Sequence, residues 1–172
     1  VDDYVEIPHN ANQNTGAGFT VDAWINPTTY GHGFTIAQKR STSNQGGFAL
    51  ETTHAPFGNA NGLQFAIWVG AGLLELLTTP PNVVSTGVWQ HVAATYDGAT
   101  MRVYVDGVEQ ASLAVDGAIV PTADPFVIGR NVVIPSFAWA GYIDEVHLFS
   151  RALSATEIQA IHAAGAAGIC PG

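Results

Sequence analysis

The chain has 172 residues, of which 47% are hydrophobic and 11% charged, with 19 Gly and 9 Pro. This composition is typical of one folded, turn-rich domain. The formal net charge is −9 and the chain contains only five Lys and Arg residues, which excludes the basic surface that nucleic acids and anionic membranes require. The most apolar stretch, 65–74, is far shorter than the roughly 20 residues of a membrane-spanning helix. We therefore expect no nucleic-acid partner and no membrane insertion.

Short runs of β-branched and aromatic residues alternate with Gly, Pro, Asn and Asp clusters along the chain, a pattern that predicts an all-β sandwich or barrel. In 19–25, Phe19, Val21, Ala23 and Ile25 occupy alternate positions, so one face of that strand is predicted to be buried. The predicted strands are 4–7, 19–26, 35–38, 47–51, 63–69, 75–78, 89–96, 101–105, 111–114, 126–128 and 143–149.

Two Asp-Gly pairs, at 97–98 and 106–107, separate three consecutive strand candidates. Asp-Gly readily adopts the positive φ angles of tight hairpins, so 89–114 is predicted to be a three-stranded meander.

One helix is predicted near the end of the chain. Ser154 and Glu157 have the spacing of a capping box, and Gly165 is a natural stop signal. Residues 1–165 are thus expected to form the domain and 166–172 a tail or linker. The single cysteine, Cys170, cannot form an internal disulfide, and it is either a free thiol or paired outside this sequence.

Sequence motifs for catalysis are not found. Paired catalytic carboxylates spaced along one strand, in the pattern Glu-x-Asp-x-x-Glu, do not occur, and the nearest candidates, Asp144 and Glu145, are expected to point to opposite faces of their strand. Acids distant in sequence could still meet in the fold. The histidines lack the spacing of a zinc motif, and His91 and His147 are predicted to be partly buried and hydrogen-bonded.

The order of the segments resembles the laminin-G-like jelly-roll family, within the concanavalin A-like lectin/glucanase group. The resemblance covers nearly the whole chain and is most specific in its middle. It is carried by residues 2–8 (DDYVEIP), 19–27 (FTVDAWINP), 89–98 (WQHVAATYDG), 101–107 (MRVYVDG), 141–146 (GYIDEV) and 148–157.

This resemblance implies a two-sheet antiparallel jelly-roll sandwich with one short C-terminal helix. Relatives of this kind occur in secreted and cell-surface proteins, as glycan-binding, adhesion or accessory modules. We therefore expect a non-catalytic extracellular recognition module, secreted or at the cell surface, that binds a glycan or polysaccharide. The alternatives are a protein-interaction or adhesion domain of a larger surface protein, and a glycoside hydrolase with an atypical carboxylate pair.

The resemblance also implies one structural Ca²⁺ that ties the N-terminal segment to the last strand. Asp2, Asp3 and Asp144 stand at the matching positions. Calcium needs six to eight oxygen ligands, so backbone carbonyls and water would complete the set. The alternative is that Asp2 and Asp3 are solvated and Asp144 caps a turn.

Sugar binding requires aromatic faces together with polar groups. The ligand-binding candidates are Tyr30, Phe57, Trp68 and Trp139, in or near long loops. Trp24, Trp89 and Trp139 also stand at family positions that favour the core, so Trp139 carries both interpretations.

Overall fold

All eleven predicted strands are present in the computed structural model, which describes residues 3–29, 34–53 and 60–165. They differ from the predicted strands by a few residues at their ends. The strands are β1 (Val5–Ile7), β2 (Phe19–Pro27), β3 (Thr35–Arg40), β4 (Gly47–Thr53), β5 (Gly62–Val69), β6 (Leu73–Thr78), β7 (Gln90–Tyr96), β8 (Thr100–Val105), β9 (Val108–Ala114), β10 (Phe126–Ile128) and β11 (Gly141–Phe149).

The strands form two sheets in which all neighbours are antiparallel. The six-stranded sheet has the order β1-β10-β3-β4-β5-β6, and the five-stranded sheet has the order β11-β2-β7-β8-β9. The predicted jelly-roll sandwich is therefore confirmed. Edge strands β1 and β11 lie on one side of the sandwich, where they line a common cleft, while β6 and β9 are in contact on the other side.

The core lies between the two sheets and is filled by alternate strand residues. The predicted inward residues of β2, from Phe19 to Ile25, are fully buried. The Phe19 ring lies 4.5 Å from that of Phe48 and 5.8 Å from that of Phe65, measured between centroids, so aromatic contacts join the two sheets.

The outer face of the five-stranded sheet is also covered, by helix α1 (Ala155–Ala164). Leu153 and Ile158 pack there against Ala93 and Tyr104. The predicted capping box is present, because the Ser154 and Glu157 side chains each accept a hydrogen bond from the other residue's backbone N–H. No described helix is long and apolar enough to cross a membrane.

The predicted meander is formed by β7, β8 and β9, and its two turns use the Asp-Gly pairs. In the second turn Asp106 and Gly107 have φ values of 51° and 78°, the positive angles of a tight hairpin. In the first, Asp97 Oδ1 accepts hydrogen bonds from the backbone N–H groups of Ala99 and Thr100.

A β-bulge interrupts the pairing of β11 with β2, and this feature was not predicted. Asp144 pairs with Trp24 and His147 with Asp22, so three steps along β11 match two along β2. Glu145 takes up the extra residue with a φ of 50°, in the left-handed region. The bulge keeps both Asp144 and His147 on the outer face of the five-stranded sheet.

Candidate functional site

A large cleft lies between the two edge strands β1 and β11, and we call it the edge cleft. Its volume is about 660 Å³, and its wall includes Asp3, Tyr4, Phe34, Trp139 and Tyr142. Ligand pockets commonly have volumes of about 300–1,000 Å³ with largely apolar walls and a few polar groups. The edge cleft therefore has the size and lining of a small-molecule or oligosaccharide site.

Trp139, one of the predicted ligand residues, forms part of the wall of the edge cleft. Its backbone N–H donates to Gly129 O at 2.8 Å, and its partly buried side chain packs against the core. Its indole Nε1 is buried and has no hydrogen-bond acceptor among the described residues. Trp139 thus packs against the core and also lines the cleft, and ligand binding by Trp139 stays a prediction.

A second cleft of about 410 Å³ lies on the outer face of the five-stranded sheet, and we call it the acidic cleft. It is lined by Trp24, Trp89, Asp144, Glu145 and Gly165. The prediction that Asp144 and Glu145 point to opposite faces is wrong, because both line this cleft. The bulge at Glu145 breaks the alternation on which that prediction depended.

An aromatic pair, Trp89 and Tyr142, joins the two clefts. The side chains are 45% and 63% exposed, and their ring centroids are 6.2 Å apart. Trp89 lines the acidic cleft and Tyr142 lines the edge cleft. Large aromatic side chains exposed next to clefts are typical of binding surfaces.

Trp89 was predicted to be a core residue, and Tyr142 was not considered. The strand pattern contains the signal that was missed. Val92, Ala94 and Tyr96 point into the core. Because side chains alternate along a strand, Trp89, an odd number of positions from each of them, is expected to point outward. Trp24 also has outward parity in β2, and it lies partly buried beside His91 and His162.

A buried polar network lies beside the acidic cleft. His91 Nε2 is fully buried and donates to Asp22 Oδ2 at 3.0 Å, which confirms the prediction of a hydrogen-bonded histidine. His147 Nδ1 lies 3.4 Å from Asp22 Oδ1, and its Nε2 lies 3.7 Å from Glu145 Oε2. The buried Asp22 carboxylate thus accepts a hydrogen bond from His91 and lies close to His147, and the other ring nitrogen of His147 faces an acid of the cleft.

Trp68 has no free ring face, although it was predicted to bind a ligand. It is only 2% exposed, packs with Ala49 and Ala66, and is covered by the Arg40 guanidinium 4.9 Å from its ring centroid. Because stacking on a sugar needs an accessible face, this placement gives Trp68 a structural role. The other two aromatic candidates, Tyr30 and Phe57, lie outside the described residues.

The predicted calcium ligands are not brought together in the part of the chain that the structure describes. Asp3 lines the edge cleft and Asp144 lines the acidic cleft. No group of three His, Cys, Asp or Glu side chains among the described residues could hold a metal ion. Asp2 lies outside these residues, so the described acids do not by themselves form the site, and calcium binding stays a prediction.

The fold and the motifs agree with a sequence-family match. The profile of the concanavalin A-like lectin/glucanases superfamily matches residues 1–159. The chain belongs to this superfamily. No curated protein matches the sequence of this concanavalin A-like domain.

Solved structures share the fold of this concanavalin A-like domain. The CBM40 module of the IT-sialidase of Ruminococcus gnavus, bound to α2,3-sialyllactose, superposes with a TM-score of 0.69 at 17% identity, covering 93% of this chain and 96% of that one. Domain 4 of the extracellular GH43 arabinanase AbnA from Geobacillus stearothermophilus, in complex with arabinotriose, gives 0.66 at 20% identity, covering 91% and 71%. A heptameric SAP-like pentraxin from Limulus polyphemus gives 0.65 at 18% identity, covering 98% and 84%. At these identities the likeness establishes the fold alone.

Proposed function

We propose that this domain is a non-catalytic carbohydrate-binding module of a secreted or cell-surface protein. The observation that carries the proposal is the exposed Trp89–Tyr142 pair between two clefts. The bound oligosaccharide would lie in the edge cleft and continue over this pair. The proposed extracellular location of the domain is supported by proteins of the same fold, one of which is a domain of an extracellular arabinanase.

The chemistry of the edge cleft suits a sugar. The apolar C–H face of a pyranose packs on aromatic rings, here those of Trp139 and Tyr142, while its hydroxyl groups need polar partners. The Asp3 carboxylate is an exposed hydrogen-bond acceptor in the wall of the cleft, and a sugar hydroxyl can donate to it.

The second candidate is a glycoside hydrolase, and one observation favours it. Asp144 and Glu145 both line the acidic cleft, and glycosidases use two carboxylates that flank the scissile bond. These two acids are adjacent in the chain and lie on one strand at the same wall of the cleft. We therefore place them in ligand binding, and we expect no reducing ends when a bound polysaccharide is incubated with the domain.

The test is affinity electrophoresis against a panel of neutral, acidic and amino polysaccharides. We expect retardation by at least one polymer, and a roughly two- to tenfold weaker affinity for Tyr142→Ala, because one stacking contact is worth about 0.5–1.5 kcal/mol. Leu73→Ala is the matched control, since Leu73 is 64% exposed on the opposite edge of the six-stranded sheet. Unretarded migration with every polymer, or equal losses for both variants, would contradict the proposal.

A further inference from the structure

The basic side chains of the protein are all engaged away from the acidic cleft. Every Lys and Arg lies within the described residues, and none lines this cleft. Lys39 contacts the Asp124 carbonyl and His9, and Arg40 contacts Glu51 and the Trp68 ring. Arg102 pairs with Asp97, Arg130 lies over the Tyr4 ring, and Arg151 pairs with Glu157.

The two carboxylates of the acidic cleft therefore have no Lys or Arg counter-ion. Asp144 Oδ1 accepts a hydrogen bond from the Glu145 backbone N–H, and the His147 imidazole lies 3.7 Å from Glu145 Oε2. In a chain of net charge −9 these acids leave the cleft with a negative potential. The potential attracts a cationic group and repels an anionic one.

The other walls of the cleft are indole rings, which distinguish between kinds of cation. Trp24 and Trp89 line the same cavity as the two acids, and tryptophan is the best aromatic partner for an ammonium group. A hard ion such as Ca²⁺ instead wants six to eight oxygen ligands and gains little from an indole. Among the described residues, these acids and their neighbours form no group of three His, Cys, Asp or Glu side chains that could hold a metal ion.

We propose that the acidic cleft binds the protonated amine of an unacetylated amino sugar. The ammonium group would lie between the carboxylates of Asp144 and Glu145, and the sugar ring would pack on Trp89. This inference rests on the proposed carbohydrate-binding function and names the sugar class. It also predicts that sialylated and uronic-acid glycans are poor ligands of this cleft, because they would place an anion beside two carboxylates.

The test compares two sugar trimers whose amino groups are free in one and acetylated in the other. Tryptophan fluorescence is titrated with the glucosamine trimer and with the N-acetylglucosamine trimer, at a pH where the free amines are protonated. For the unaltered protein we expect the glucosamine trimer to bind about tenfold tighter or more, since a charged hydrogen bond contributes about 1.5–3 kcal/mol.

Two variants locate the effect in the acidic cleft. Glu145→Gln and Asp144→Asn should each bring the affinity ratio of the two trimers close to one. The matched control is Asp116→Asn, which removes the same charge from an exposed position outside the cleft and should keep the ratio of the unaltered protein. Unchanged melting temperatures identify variants that remain folded, and either cleft variant alone suffices for the test.

Four outcomes would overturn the inference. Equal affinity for the two trimers would remove the amine preference while leaving carbohydrate binding intact, and binding of neither trimer while a neutral polysaccharide still binds would do the same. Displacement of the glucosamine trimer by millimolar calcium chloride would identify a hard-cation site. Equally tight binding of Nα-acetyl-lysine amide, which keeps a free ε-ammonium group but has no sugar ring, would show that any ammonium group suffices. Failure of every polysaccharide in the panel would instead contradict the proposed function itself.

Discussion

Glu51 is a buried acid on the outer face of the six-stranded sheet. Its Oε1 accepts hydrogen bonds from Thr35 Oγ1 at 3.1 Å and from Asn131 Nδ2 at 2.8 Å, and Arg40 lies 3.8 Å away. Burial raises the pKa of Glu51 above its usual value of 4.5, and the Arg40 charge and the two hydrogen bonds only partly oppose this. The desolvation of the carboxylate therefore outweighs its attraction to Arg40.

Glu51→Gln tests this balance through the pH dependence of stability. The folded state holds the Glu51 proton to a higher pH than the unfolded chain does, so the free energy of unfolding falls as pH rises from 4.5 through the folded pKa. Gln keeps an oxygen for both hydrogen bonds and carries no proton to lose. We expect a smaller fall in melting temperature across this window than in the unaltered protein. A variant less stable at neutral pH and unchanged in acid would show that the ion pair with Arg40 dominates.

Trp68 and Trp89 form a matched pair of tryptophans with opposite roles. Trp68→Ala should lower the free energy of unfolding by about 3–5 kcal/mol, because it empties a buried site beneath Arg40. Trp89→Ala should cost about 1 kcal/mol or less and should weaken glycan binding. Urea unfolding and affinity electrophoresis of both variants measure the two effects. A weaker affinity with unchanged stability for Trp68→Ala would contradict these assignments.

At the scale of elements, one hydroxyl group joins the five-stranded sheet to the segment that leads into α1, in addition to the apolar packing of the helix. Thr20 Oγ1 donates to Arg151 O at 3.0 Å and accepts from the Leu153 N–H at 2.8 Å. The helix start is fixed as well, because the Glu157 carboxylate accepts hydrogen bonds from the Arg151 guanidinium and from the Ser154 backbone N–H. These bonds lower the pKa of Glu157 to about 2. These contacts keep α1 over Ala93 and Tyr104, and Gly165 lies at the wall of the acidic cleft.

Thr20→Val removes both hydrogen bonds with almost no change in side-chain shape. We expect the free energy of unfolding to fall by about 1–3 kcal/mol, because the buried Leu153 N–H and the partly buried Arg151 carbonyl lose their partner. Thr20→Ser is the control, because it keeps the hydroxyl group and should retain both hydrogen bonds. Urea unfolding measures the change. Equal stability of Thr20→Val and the unaltered protein would show that apolar packing alone holds the helix.

The elements were largely predictable because their signals are local. Alternation in 19–25, the Asp-Gly turns and the Ser154–Glu157 box each act within a few residues. The short 3₁₀ helix Ala11–Gln13 and the bulge at Glu145 were missed. The 3₁₀ helix has only three residues and no apolar period. The bulge depends on the pairing of β11 with β2, which a linear pattern does not contain.

At the scale of the whole molecule, the candidate site was only partly predictable. Trp139 and Asp144 were named from the sequence, and each lines a cleft. The edge cleft exists because β1 and β11, which are separated by most of the chain, are neighbouring edges of opposite sheets. Trp68 was misjudged for a similar reason. The Arg40 side chain that covers its ring belongs to β3, which is far from Trp68 in sequence although close to it in the sheet.

Calcium binding has a direct test in thermal unfolding. If Asp2, Asp3 and Asp144 hold a structural ion, millimolar calcium should raise the melting temperature and EDTA should lower it, because a ligand that binds only the folded state stabilises it. Asp144→Asn should remove the response, whereas Asp116→Asn should keep it. A melting temperature indifferent to calcium and EDTA would contradict the prediction, while leaving carbohydrate binding open to its own test.

The central claim, that the domain binds a glycan across the edge cleft and the Trp89–Tyr142 pair, is tested most directly by the indole N–H signals of its four tryptophans. In nitrogen-15 NMR spectra recorded while a retarding oligosaccharide is added, we predict that the Trp139 and Trp89 signals shift, because these residues line the two clefts. The Trp68 signal should stay in place, because Arg40 covers its ring. Shifts confined to Trp68, or no indole shift at saturating ligand, would contradict the account.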